Sequence, residues 1–290
     1  MRNNLLIALA LVVSQVSGAL AGEPDKDLHN KCIYPTVMIG STNEKYGGTG
    51  TGVIVKSVKE GEKWTNYVFT CSHILIQTPP RIILPPKVNG KDDITKNPTF
   101  VDAKYEYQVR VGNYQDWSHL VSIDDYECEV LITNRSRLTD TALIKFTSDK
   151  EMPVAETNDE KLYIGNEICR VGCGLDEPFR VDFGRITSIS KSTVDRYGDM
   201  TKHTHRVSAA TLPGDSGGPV YEGYKLIGLM QLIRGFQGQD GANVAVFHMA
   251  YVIPIERFTS DEAIMDCLDG KDPPKTLADI IREAMEEKEE

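Results

Sequence analysis

Short runs of β-favouring residues recur along most of the chain, each closed off by Gly, Pro, Asn or Asp, and this texture constrains the fold more than any other feature. Tyr105, Tyr107, Val109 and Val111 alternate with Glu106, Gln108 and Arg110, the period of two that a half-buried strand requires. Comparable runs are Thr51 to Val55, Tyr67 to Thr70, Ala142 to Phe146, Arg180 to Ile189, Leu226 to Leu232 and Val244 to Ile255. Many short strands with turn signals, and no alternation with helices, predict an all-β sandwich or barrel.

One stretch stands apart from the strands. Thr211-Leu212-Pro213-Gly214-Asp215-Ser216-Gly217-Gly218-Pro219-Val220 places one serine among small residues and turn formers. A serine hydroxyl is a weak nucleophile unless a base stands beside it and fixed N–H donors face the oxyanion that forms. Gly214 and Ser216 are the candidate donors, because glycine can turn its N–H where other residues resist. Upstream, Tyr67 to Leu75 ends an apolar run with Thr70-Cys71-Ser72-His73, which makes His73 the candidate base. Thr139-Asp140-Thr141-Ala142-Leu143 sets a lone acid before an apolar strand, which makes Asp140 the candidate orienting group.

In the order His, Asp, Ser, these segments resemble those of the chymotrypsin-type serine peptidases. The likeness is closer to the trypsin-like domain of the HtrA (Deg) group. Gly50-Thr51-Gly52-Val53-Ile54-Val55 resembles that group's first glycine-rich strand, Ala209 to Pro219 its serine loop, and Tyr251-Val252-Ile253-Pro254-Ile255 its closing strand. The resemblance runs from about Val37 to Phe258. It implies two six-stranded antiparallel β-barrels with the site in the cleft between them, the first over about 35–150 and the second over about 160–258. It also implies a peptidase domain over 22–258 that cuts protein or peptide substrates through His73, Asp140 and Ser216 by way of an acyl-enzyme, with no metal or cofactor. Ala210, six before the serine, would form the base of the pocket for the side chain preceding the scissile bond, and Gln231, Leu232 and Ile233 one wall. In trypsin relatives a freed N-terminus pairs with the acid preceding the serine. Asp215 keeps that acid, but the chain carries no Ile-Val-Gly-Gly activation sequence, so the partner of Asp215 is left open.

Outside the motifs, residues 1–21 read as a secretory signal: Arg2, an apolar Leu5 to Val13, and Ala19-Leu20-Ala21 as a cleavage site. The apolar run is short of the roughly 20 residues a spanning helix needs, so a secreted or periplasmic mature chain from Gly22 is expected. A formal net charge of -10 without basic clusters argues against nucleic acid and anionic membranes as partners. Asn134-Arg135-Ser136 is a glycosylation sequon. Six cysteines, Cys32, Cys71, Cys128, Cys169, Cys173 and Cys267, are compatible with disulfides, but their connectivity is not readable from spacing. Cys71 lies in an apolar run, which favours burial over a nucleophilic role. The Cys169–Cys173 spacing suits zinc poorly, and His203 and His205, sharing one face of a strand, lack a third ligand, so an exposed polar face is expected there.

Three further segments complete the reading. Residues 77–118 are expected to be a solvated insertion or a loop over the cleft. Thr147 to Gly165 suits a linker between barrels. Residues 259–290 form a helical tail, with helices over Ser260 to Leu268 and Thr276 to Glu287, the second docking on the second barrel, and no PDZ domain is expected after it. Two other readings compete. Gly214-Asp215-Ser216-Gly217-Gly218 also satisfies the nucleophile elbow of an α/β-hydrolase, with Asp240 and His248 downstream, although Gly217-Gly218-Pro219 would break the helix that fold requires. A peptidase-like binding protein without activity is the non-enzymatic alternative.

Overall fold

A computed structural model describes residues 25–41, 49–75, 81–83, 87–88, 91–92, 99–101, 106–115, 119–134, 139–177, 179–194, 200–237 and 243–275. Among the described residues the β texture resolves into sixteen strands: β1 (Thr36–Ser41), β2 (Thr49–Glu60), β3 (Lys63–Cys71), β4 (Arg81–Ile83), β5 (Lys87–Val88), β6 (Lys91–Asp92), β7 (Thr99–Val101), β8 (Tyr107–Gln115), β9 (His119–Asn134), β10 (Thr141–Ser148), β11 (Glu167–Gly172), β12 (Arg180–Val194), β13 (Met200–Val207), β14 (Pro219–Glu222), β15 (Lys225–Gln237) and β16 (Asn243–Pro254). Twelve of them close into two antiparallel barrels, β1-β2-β3-β10-β9-β8 and β11-β12-β13-β16-β15-β14. Closure removes the free strand edges that an open sheet would expose. The α/β-hydrolase alternative fails here, because the serine leads into a turn and the antiparallel strand β14 rather than a helix on a parallel sheet.

The alternation in the sequence maps onto the first barrel directly. Along β8, Tyr107, Val109 and Val111 are buried while Gln108 and Arg110 are partly exposed, and Val109 pairs with Ile39 to close the barrel. β8 falls inside the segment expected as an insertion. The described remainder of 77–118 forms two small strand pairs, β4 with β7 and β5 with β6. After β10 the chain crosses to the second barrel along a path held by main-chain bonds, Ala155 N–H to Ile54 O (2.9 Å) and Asn158 N–H to Leu226 O (2.9 Å), with Met152 and Ala155 buried.

The chain then returns to the first barrel. Phe258, fully buried in the helix Glu256–Thr259, stacks on Phe69 of β3 with ring centroids 4.7 Å apart. The next helix, Glu262–Leu268, is capped by the Asp261 carboxylate, which accepts from Ile264 N–H at 3.3 Å, and it buries Ile264 and Cys267. Asp261 also accepts from the Asn134 side chain of β9 at 2.6 Å, so the sequon amide is already engaged. The helix expected over Thr276 to Glu287, its docking face and the signal segment 1–21 lie outside the described residues.

Two expectations are corrected. His205 is buried on β13, in register with Val252 of β16, rather than on an exposed polar face. The six cysteines are free thiols, five of them buried.

Truncating the ring that ties the C-terminal helices to the first barrel leaves a cavity in a stacked aromatic pair. Phe258→Ala is expected to cost about 3–5 kcal/mol, read as a lowered urea midpoint at unchanged slope; a midpoint shift within error would show that this contact does not anchor the segment.

Candidate active site

β3 runs out at Cys71 into the single 3-10 turn Ser72–Ile74, which carries His73. The neighbouring strand β10 starts opposite it, Thr141 against Cys71, so Asp140 stands at the same end of the barrel as His73. Asp140 has φ +46, a left-handed backbone that an L residue adopts at a cost of order 1–3 kcal/mol. Three donors hold its carboxylate in return. His73 Nδ1 lies 2.8 Å from Oδ2, the His73 main-chain N–H donates to Oδ1 at 2.9 Å, and Gln231 Nε2 donates to Oδ2 at 3.1 Å. The Asp140 side chain is 11% exposed and that of His73 46%, so a sheltered acid orients an accessible ring.

Ser216 reaches the same place from the second barrel, in the turn before β14. Thr51 of β2 clamps that turn across the cleft: its N–H donates to Ser216 O at 2.8 Å and its hydroxyl to Gly214 O at 2.8 Å, while Cys173 N–H donates to the Thr51 hydroxyl at 3.0 Å. Gly217 N–H donates to Met230 O (2.7 Å) and Met230 N–H to Gly218 O (2.8 Å), tying the turn to β15. Gly214 has φ +98, and a Cβ there would come within 2.8 Å of Cys173 O, so glycine is required twice over. Among the described residues neither Gly214 N–H nor Ser216 N–H donates to a protein acceptor. Two main-chain donors separated by one residue, without protein acceptors, suit an anionic oxygen.

His73, Ser216, Gln231, Thr211, Leu212, Pro213 and Met230 line one cavity of about 260 Å³. The Ser216 hydroxyl donates to Gln231 O at 3.2 Å. Gln231 therefore does more than the pocket wall expected of it: its side chain bonds the carboxylate and its carbonyl parks the serine. The Ala210 carbonyl accepts from Arg170 Nε, and Ala210 is not among the residues lining this cavity. Leu232 and Ile233 continue β15 opposite Tyr251 and Ala250.

Cys71, His73 and Asp140 bring potential metal-ligand atoms within 4.8 Å of one another. Their chemistry does not fit a metal. Burial pushes the Cys71 thiol well up, its sulfur donates to Met230 O (3.2 Å), and both Asp140 oxygens are occupied by N–H donors. The same burial disqualifies Cys71 as a nucleophile beside Ser216.

Residues 50–229, more than half of the chain, match the family described as the trypsin-like peptidase domain. The chain belongs to that family. No curated protein matches it. Membership of a trypsin-like peptidase family brings with it a hydrolase acting on protein or peptide substrates, and the two closed barrels are the chymotrypsin-like fold. In this trypsin-like chain the groups that sequence reasoning missed are Thr51, Arg170 and the second role of Gln231. Thr51 was visible only as part of a glycine-rich strand, and nothing in Gly50-Thr51-Gly52 signals a bond to residue 216.

Proposed function

We propose that this protein is a serine endopeptidase in which Ser216, His73 and Asp140 act as nucleophile, base and orienting acid. The observation that carries the reading is the 2.8 Å bond from the His73 ring to a sheltered Asp140 carboxylate, with Ser216 lining the same cavity as the ring. Catalysis begins as the Ser216 hydroxyl swings from Gln231 O to the ring; hydrogen bonds of this kind commonly tighten only when substrate binds. His73 takes the hydroxyl proton as Oγ bonds to the substrate carbonyl carbon. The carbonyl oxygen gains the electron pair and is received by the Gly214 and Ser216 N–H groups. His73 then gives the proton to the departing amine, leaving an acyl-enzyme that water cleaves by the same steps in reverse. Asp140 fixes the tautomer and stabilises the imidazolium. No metal or organic cofactor enters this chemistry.

The sequence likeness to the HtrA group, the cleavable signal and an extracytoplasmic destination belong to the same proposal. So do the absence of nucleic-acid and membrane partners, supported by the acidic balance of the chain. Among the described residues no helix is long and apolar enough to cross a membrane.

Ser216→Ala or His73→Ala is expected to lower turnover about a million-fold, because the members act as a unit. Asp140→Asn should fold and lose roughly four orders of magnitude through the wrong His73 tautomer. Normal hydrolysis by folded Ser216→Ala, or a wild-type chain that a fluorophosphonate fails to label at Ser216, would favour the inactive binding protein instead. The pocket supports a second prediction. Leu212, Pro213 and Met230 line it and no Asp, Glu, Lys or Arg does, and an unpaired cation would be costly to bury there, so a peptide-library profile should show small or medium aliphatic residues before the cut bond. A strong preference for Lys, Arg, Asp or Glu would overturn the uncharged pocket. Finally, the intact mass of the exported chain should correspond to a start at Gly22, and a retained Met1 to Ala21 segment would contradict the proposed export.

A further inference from the structure

The carboxylate next to the nucleophile has a partner that no motif announces. Asp215 is fully buried, and its Oδ2 accepts the Leu212 N–H at 2.7 Å, while its own N–H returns to Leu212 O at 3.1 Å. The side chain thus staples the short turn that contains Gly214. Arg170, on β11, is equally buried: its Nη1 lies 2.9 Å from Asp215 Oδ2, its Nη2 2.5 Å from Asp182 Oδ2, and its Nε donates to Ala210 O. Arg180, partly exposed on β12, adds a second cation 3.2 Å from Asp215 Oδ2 and 2.9 Å from Asp182 Oδ2. The space for this cluster is made by a missing side chain, since a Cβ on Gly172 would lie 2.3 Å from Asp215 Oδ1.

The guanidinium therefore grips both ends of the segment from Ala210 to Asp215, through a carbonyl at one end and a carboxylate at the other. Gly214 N–H lies inside that segment, and Ser216 N–H directly follows it. We infer that Arg170 is a positioning residue for the oxyanion donors, an internal cation that keeps Asp215 folded inward and so holds the Gly214 and Ser216 N–H groups toward the cavity. The physical reason is the cost of burying an unpaired carboxylate. Without the cation Asp215 would turn to water, taking the Leu212 N–H staple with it and rotating the peptides on either side of Gly214. Because the cation belongs to the chain's own strand, the turn needs no group delivered from elsewhere to take up its working shape. The inference rests on the peptidase reading above, and it concerns how that site is set.

The test uses the full mature chain and compares wild type, Arg170→Met and Arg170→Lys, with activities expressed per folded molecule from near-ultraviolet circular dichroism and thermal melts. Arg170→Met is expected to lose about 10²–10³-fold in kcat, the range seen when oxyanion donors are lost. KM should change little, and affinity for a peptidyl trifluoromethyl ketone, whose hemiketal oxygen mimics the oxyanion, should fall by a similar factor. Because removing a buried cation can prevent folding, Arg170→Lys decides by pH. The groups facing position 170 are Asp182 and Arg180 on β12, Asp215 on the serine turn, and the Cys173 thiol beside Asp215. A guanidinium keeps its charge through the accessible range, whereas a lysine amine, with an ordinary pKa near about 10.4, does not. Charge is present below the lysine pKa and lost above it, so Arg170→Lys should gain an alkaline fall in kcat that wild type lacks, with the fold intact on both sides. A folded Arg170→Met chain within three-fold of wild-type kcat (roughly 0.65 kcal/mol), or an Arg170→Lys profile parallel to wild type, would overturn the inference. Wild type inert toward the fluorophosphonate would instead sink the peptidase reading itself.

Discussion

The two barrels meet at a threonine. Thr51 belongs to the second strand of the first barrel, yet its N–H and hydroxyl hold the carbonyls of Ser216 and Gly214 on the second, and its own carbonyl accepts the Thr70 hydroxyl at 2.8 Å. His73 and Asp140 are built on one barrel and Ser216 on the other, so their separation is only as fixed as the join between them. A fully buried residue with every polar group paired makes a rigid join, because releasing any one of these bonds would strand a donor or acceptor away from water. The Phe69–Phe258 stack adds a second tie, since the chain that finishes the second barrel returns to pack on β3 of the first.

Around that join the site divides its labour by burial. Asp140 is enclosed, takes three N–H donors and sits on strained backbone, while His73 stands open to the cavity. The low-dielectric side thus holds the carboxylate, and the ring stands on the side open to solvent. Gln231 connects the halves: its side chain ends on the acid and its carbonyl holds the serine hydroxyl in the absence of substrate. Asp140 and His73 are therefore engaged with each other, and the Ser216 hydroxyl is held by Gln231 O.

Behind the serine turn the second barrel supplies the opposite arrangement, a buried cation under a buried acid. Arg170 and Asp215 are both fully enclosed, with Asp182 and Arg180 at the margin closing the cluster. Such a pair contributes little net stability, because desolvation offsets attraction. Its effect is on geometry: the carboxylate has one acceptable position, and the turn follows it.

Much of the architecture was legible before folding. Alternation at Tyr107, Val109 and Val111 and the recurrent β-favouring runs determined strands, since the period of two is local and survives without knowledge of partners. The order His73, Asp140, Ser216 and the glycines around the serine pointed to the chemistry proposed for the site for a similar reason: backbone turns and nucleophile loops are written in consecutive residues. What sequence could not assign were the long-range partners. Thr51 meets Ser216 and Gly214, Gln231 meets Asp140, and Arg170 meets Asp215 only after two barrels have closed and docked. The segment from 77 to 118 read as an insertion because β8, a barrel strand, is separated from the preceding barrel strand β3 by a stretch whose described residues form only two small strand pairs. The partner of Asp215 was open for the same reason. An ion pair between residues 45 positions apart leaves no periodicity, and only the tertiary structure brings its two charges within 3 Å.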